Sequence, residues 1–175
     1  MKSNIAIFFL LFATISVAQN FEWNKKHIKK AAKIGLDTSQ VIILASIVEK
    51  ETPLKSEKPK IARVYLNRLK QNMALQSDPT ILFLLKDSTI KKINKNNLNI
   101  KSPYNTYLNK GLPPGKICEP SKESILAVLN ANKNNYIYFC SKPDFSGRFN
   151  YAKTLKEHNK NIKLYIEALN KSNIN

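Results

Sequence analysis

The chain has 175 residues, 43% of them hydrophobic, enough for one domain with an apolar core and a short extension. Its 29 basic and 12 acidic residues give a formal charge of +17, a surface that favours polyanions such as nucleic acid, anionic lipid or a carboxylate-bearing wall polymer. Collagenous, coiled-coil and disulfide-rich classes are excluded by composition, and because only Arg63, Arg68 and Arg148 are arginine beside 21 asparagines, a joint Lys and Asn excess imposed by an AT-rich genome accounts for most of the charge.

At the start of the chain, Lys2 precedes an apolar run from Ile5 to Val17 that closes on Ser16-Val17-Ala18. A positive start, a 13-residue hydrophobic stretch and small residues at the −3 and −1 positions are the grammar of a signal peptide cleaved after Ala18. A spanning helix needs about 17–25 apolar residues. Residues 1–18 therefore read as an export signal, with a short membrane anchor as the alternative, and residues 19–175 as one domain. No cysteine lies near the cleavage point, which argues against lipoprotein processing.

Lys25 to Ile34 reads as a basic amphipathic helix ending near Gly35. Asp37 to Glu51 is the strongest helical signal. Asp37 can cap it, with Gln40 three residues on in a capping-box arrangement. Val41, Ile42, Ile43, Leu44, Ala45, Ile47 and Val48 make it apolar on nearly every side, which predicts a buried central helix. Pro53 restricts Thr52 and should end it. Lys60 to Gln71 follows, with Ile61, Val64, Tyr65 and Leu69 on one face. Lys86 to Lys101, rich in Lys and Asn, reads as an exposed connection with one weak helical turn. Ser121 to Asn132 is a further helix opened by Pro120 and Ser121. Tyr136 to Cys140 and Arg148 to Tyr151 have strand composition, and Pro143, Asp144, Ser146 and Gly147 between them supply turn chemistry, so the two form a hairpin. The last helix runs from about Thr154 to Leu169. The fold class is α+β, a mostly helical single domain with a small hairpin. Cys118 and Cys140 fit no metal spacing; they read as small buried hydrophobes that an oxidising compartment would also allow to pair.

Glu51 is the carboxylate of interest. Leu44, Ile47, Val48 and Glu51 stand at i, i+3, i+4 and i+7, which puts all four on one helical face. Glu51 thus continues an apolar stripe into the last turn of a buried helix. Burial raises a carboxyl pKa, and the negative end of the helix dipole raises it further. A glutamate kept protonated near neutral pH can act as a general acid. Glu49 lies about 200° round the helix and faces elsewhere. The plainer alternative is a helix-end carboxylate paired with Lys50, Lys55 or Lys58.

The neighbourhood of Glu51 decides between these. Ala45-Ser46-Ile47-Val48-Glu49-Lys50-Glu51-Thr52 resembles the MltG-type (YceG-like) endolytic murein transglycosylases. The resemblance continues in order through Arg63-Val64-Tyr65-Leu66-Asn67-Arg68-Leu69, Leu75-Gln76-Ser77-Asp78-Pro79-Thr80, Ser102-Pro103-Tyr104-Asn105-Thr106-Tyr107, Gly111-Leu112-Pro113-Pro114-Gly115, Tyr136-Ile137-Tyr138-Phe139 and His158-Asn159. Phe21-Glu22-Trp23-Asn24 resembles the segment that leads into the family's catalytic region. Coverage runs from about Phe21 to Leu169. The resemblance implies cleavage of the β-1,4 bond between N-acetylmuramic acid and N-acetylglucosamine, with Glu51 at the position of the family's catalytic glutamate. It implies no metal and no cofactor. Members of the family usually carry a membrane anchor and a LysM-like domain before this region, whereas only a few residues separate Ala18 from Phe21. Glu119-Pro120-Ser121 stands where the family tends toward Asn-Pro-Gly.

A single acid fits the implied chemistry. Retaining glycosidases set two carboxyls about 5 Å apart, and inverting ones leave roughly 6.5–9.5 Å for a water. In a lytic transglycosylase the sugar's own C6 hydroxyl replaces both. Gln76, Ser77 and Asp78 before Pro79, and Tyr104, Asn105, Thr106 and Tyr107, are the candidate substrate-binding residues, since aromatic faces with amide and hydroxyl groups suit N-acetylated sugars. Pro113, Pro114 and Gly115 read as a rigid loop former, Trp23 as core, and His158 as a hydrogen-bonded helix histidine. The expected partners are peptidoglycan strands and cell-wall synthesis proteins, at the periplasmic side of the inner membrane, with membrane association through the N-terminus. A wall-binding protein without catalysis is the first rival reading. A nucleic-acid-binding domain rests on charge alone, and scarce arginine and the export signal argue against it.

Overall fold

The computed structural model describes residues 21–86 and 93–172. The leader expected at residues 1–18 lies outside them. In chain order the elements are α1 (Lys25–Lys33), α2 (Thr38–Glu51), α3 (Lys58–Lys70), α4 (Asp78–Leu85), a short 3-10 turn (Asn97–Asn99), α5 (Lys122–Leu129), β1 (Tyr138–Ser141), β2 (Phe149–Ala152) and α6 (Leu155–Ser172). The class is α+β as expected, with one two-stranded antiparallel hairpin pairing Tyr138 with Ala152 and Ser141 with Phe149.

α2 is the axis of the fold. It packs against α1, α3, α4 and α5, because a helix apolar on almost every side can be stable only where every side is covered. Val41, Leu44, Ala45, Ile47 and Val48 are completely buried. Each large aliphatic side chain among them contributes roughly 1.5–3 kcal/mol on leaving water. The Asp37 carboxylate accepts from the Gln40 amide at 2.8 Å, and the Gln40 side chain accepts from the Asp37 amide at 3.0 Å, so the capping box forms at the N-terminus. At the other end Thr52 is extended (φ −158°, ψ 140°), the conformation its proline neighbour favours. Ser46, also buried, accepts from the Ile117 amide at 3.0 Å and so fastens the loop before α5 to the middle of α2.

One helix begins ahead of its predicted start and one helix was not predicted. α3 starts at Lys58, ahead of Pro59, because proline's missing N–H costs nothing in a first turn. α4 was not legible as a helix: Asp78 to Leu85 is one turn of polar residues and a short apolar run, which periodicity alone does not separate from a strand. Residues between Lys86 and Lys101 that are described form loop and the 3-10 turn. The hairpin starts two residues later than predicted and packs Phe139 edge-on to Tyr65 at 5.8 Å, while α6 covers it from outside. Phe21 and Trp23 meet edge-to-face at 5.0 Å beside the core, as expected for Trp23. Cys118 and Cys140 are both free and half-buried; the Cys118 thiol donates to the Ser46 carbonyl at 3.3 Å.

Glu49 has a structural task. Its carboxylate accepts from Lys58 Nζ at 3.0 Å, from the Ser121 hydroxyl at 2.6 Å and amide at 3.2 Å, and from the Ser124 hydroxyl. It therefore ties α2 to the starts of α3 and α5, and gives the buried ammonium of Lys58 its counter-charge. Glu49→Ala leaves that ammonium unpaired and is expected to destabilise the fold by about 3 kcal/mol in urea unfolding; a change below about 0.5 kcal/mol would show the network to be dispensable.

Candidate active site

Glu51 is the last residue of α2, partly exposed as a residue, with its carboxyl turned inward toward α3 and the start of α4. Oε1 accepts hydrogen bonds from the Tyr65 hydroxyl and, at 2.7 Å, from the Ser77 hydroxyl. Among the described residues no lysine pairs with it: Lys58 binds Glu49 and Lys55 binds Glu123. Burial raises the Glu51 pKa to about 7, with the nearby charge of Asp78 adding to the rise and the Tyr65 and Ser77 hydrogen bonds opposing it.

The segment that brings Ser77 to Glu51 is fixed by Thr106. The Gln76 amide donates to the Thr106 carbonyl at 2.9 Å and the Ser77 amide to the Thr106 hydroxyl at 3.0 Å. Thr80 Oγ1 lies 2.9 Å from the same hydroxyl. Gln76 is held at φ +53°, a left-handed conformation that costs a non-glycine residue of order 1 kcal/mol. Ser77 occupies the N-cap position of α4 but makes no side-chain cap; its hydroxyl goes to Glu51 instead.

The predicted substrate residues divide. Gln76, Asp78 and Tyr107 line a cleft of about 270 Å³ with Glu51, and the Tyr107 hydroxyl donates to Asp78. Asn105 and Thr106 are buried and their polar atoms are spent on the loop: Asn105 Nδ2 donates to the carbonyls of Leu98 and Ile100 at 2.9 and 2.8 Å, and its Oδ1 accepts from the Tyr107 amide. Both position neighbouring loop residues. Tyr104 packs on Phe83 at 5.0 Å and stands so close to Gly115 that a Cβ there would lie 2.7 Å from its hydroxyl. A side chain at position 115 would therefore require the Tyr104 ring to shift.

Arg68 and His158, which line the cleft, and Tyr65, which binds Glu51, were not assigned to the site from the sequence. Arg68, almost wholly buried, donates to the carbonyls of Ile137, Ala74 and Leu75 and to the Gln76 side chain at 2.6–3.1 Å. It also lies 5.2 Å from the centre of the Tyr138 ring, and so joins α3, the hairpin and the Gln76 turn. Tyr65 sits on the buried face of α3, where its ring reads as core and its hydroxyl gives no signal. His158 stacks on Tyr138 at 4.9 Å and lines the cleft. Among the described residues its Nδ1 has no hydrogen-bond partner, contrary to the expected satisfied histidine, and burial pushes its pKa down. A larger hollow of about 820 Å³ lies between α1, α3 and the end of α5, but its lining contains no carboxylate. Among the described residues no group of three or more His, Cys, Asp or Glu is placed to hold a metal ion.

Residues 11–164 match the sequence profile of the YceG-like family. The chain belongs to this family. An endolytic murein transglycosylase of Bacillus subtilis is 41% identical over 141 residues, covering 79% of this chain. One from Streptococcus pneumoniae is 32% identical over 138 residues, covering 77%. A crystal structure of a YceG-like protein from Listeria monocytogenes, 38% identical, superposes with a TM-score of 0.70 over 77% of this chain. The chain spans 38% and 25% of the lengths of the two curated relatives and 43% of the solved one. What these YceG-like proteins share with it is thus the region around Glu51.

A raised carboxyl pKa has a consequence for stability. The folded protein holds a proton on Glu51 that the unfolded chain releases near pH 4.5, so this group's contribution is full below pH 4.5 and is lost as pH rises through about 7. Glu51→Gln, which cannot ionise, is expected to gain roughly 2–3 kcal/mol over the wild type at pH 8 relative to pH 4 in chemical unfolding. Parallel stability curves for the two proteins would contradict the raised pKa.

Proposed function

We propose that this chain is an endolytic peptidoglycan lytic transglycosylase that cleaves the β-1,4 bond between N-acetylmuramic acid and N-acetylglucosamine and leaves a 1,6-anhydromuramoyl end. The observation that carries the reading is one carboxyl with its pKa raised to about 7, at a helix end, lining a cleft bordered by Tyr107, Gln76 and Asp78. The names of the curated relatives point the same way.

In this reading Glu51 gives its proton to the leaving glycosidic oxygen as the bond to C1 breaks. The resulting carboxylate takes the proton of the C6 hydroxyl while O6 bonds to C1. Water is not consumed and Glu51 is regenerated. A pKa close to the working pH suits a group that must both lend and reclaim a proton. Gln76, Asp78 and Tyr107 are the groups placed to meet the sugar. The protein acts after export, with residues 1–18 as signal or anchor, on glycan strands and beside the proteins that synthesise them.

Incubation of the exported protein with purified peptidoglycan, followed by mass spectrometry, is expected to yield anhydro-muropeptides. Glu51→Gln should keep its circular dichroism spectrum and lose cleavage by about 100-fold or more. The wild-type kcat/KM should fall above about pH 7 as Glu51 ionises. Undiminished cleavage by the glutamine variant would remove Glu51 from the reaction. Tight wall binding by a wild type that forms no anhydro ends would favour a binding protein.

A further inference from the structure

Two donors converge on a single oxygen of the Glu51 carboxyl. The Tyr65 and Ser77 hydroxyls both reach Oε1, and among the described residues no hydrogen bond reaches Oε2. A carboxyl oxygen offers two lone-pair sites. Two donors occupy Oε1 and none occupies Oε2, so Oε2 is the oxygen at which a proton meets no competing donor.

Neither donor is free to leave. Tyr65 is 1% exposed and wedged against Phe139. Ser77 is also 1% exposed; its amide is bound by the Thr106 hydroxyl, and Thr106 is itself buried. The Ser77 side chain forgoes the cap of α4 that its position would ordinarily supply. That is a local cost with no local return, and it makes sense only as a means of holding Glu51.

We infer that Tyr65 and Ser77 are positioning residues that reserve Glu51 Oε2 as the one atom exchanging a proton with the substrate. The inference rests on the glycan-cleaving role given above. The Oε2 proton passes to the glycosidic oxygen as the C1–O bond breaks, and the C6 hydroxyl proton returns to Oε2 as the O6–C1 bond forms. Oε1 keeps its two donors throughout. The leaving oxygen and O6 must then visit the same carboxyl oxygen in turn, so both steps run on one face of the sugar. Because the same donors favour the charged form, they also keep Glu51 from becoming too weak an acid to release its proton.

The test compares wild type, Ser77→Ala, Ser77→Thr and Tyr65→Phe. In Ser77→Ala the falling limb of kcat/KM against pH should move up by about one pH unit, and kcat should drop about tenfold or more while KM stays within about twofold. Ser77→Thr, which keeps the hydroxyl, should restore both. Tyr65→Phe should shift the limb in the same direction, and if it fails to fold the serine pair decides alone. Infrared difference spectra against Glu51→Gln at acid pH give a readout that needs no activity: the Glu51 C=O band should move to higher wavenumber in Ser77→Ala. An unmoved band and a superimposable pH profile would overturn the inference. A wild type that forms no anhydro ends overturns the functional reading instead, and the infrared band still decides whether Oε1 is pinned.

Discussion

The structure depends on one costly arrangement, a carboxyl group kept largely out of water at the end of the central helix α2. Everything packed around α2 contributes to it. The apolar faces of α3 and α5 close its sides, and the Gln76–Asp78 turn closes its tip. The price of that burial is met by two hydroxyl donors in place of a cation, so the group keeps its proton near neutral pH. A lysine in the same place would have fixed a permanent carboxylate.

Glu49 shows what the alternative looks like. It stands two residues away on the same helix, and an ammonium, two hydroxyls and a backbone amide hold its pKa down to about 2 despite the opposing effect of burial. One helix end thus carries two glutamates whose environments drive their acidities apart. Glu49 is a permanent anion that fastens three helices, and Glu51 is an acid that can give up its proton. The pattern matches the general expectation that pairs of carboxyls with divergent environments mark where acid chemistry is assigned. The helical geometry enforces it, since residues two apart point to different surroundings.

Much of this was readable in the chain. The capping box, the apolar circumference of α2 and the stop at Pro53 are local rules, and each holds. The placement of Glu51 on the Leu44, Ile47, Val48 stripe follows from helical spacing alone. What escaped were features made by distant contacts. α4 is short, and a polar start followed by a brief apolar run carries little periodicity. Thr106 has the composition of a ligand group, yet its hydroxyl is taken by the Ser77 amide from a distant turn. Arg68 looks like an ordinary basic residue on a basic helix, and only the return of the hairpin and the Gln76 turn gives its guanidinium four acceptors. In each case the missing information was the identity of a tertiary partner, which composition and spacing do not encode.

The central claim is that Glu51 is a weak acid in the folded protein. The direct measurement is a pH titration of its side-chain carboxyl by ¹³C NMR, with the resonance assigned by its absence in Glu51→Gln. The account predicts a midpoint near 7. A midpoint near 4.5, the ordinary value for a solvated glutamate, would contradict it.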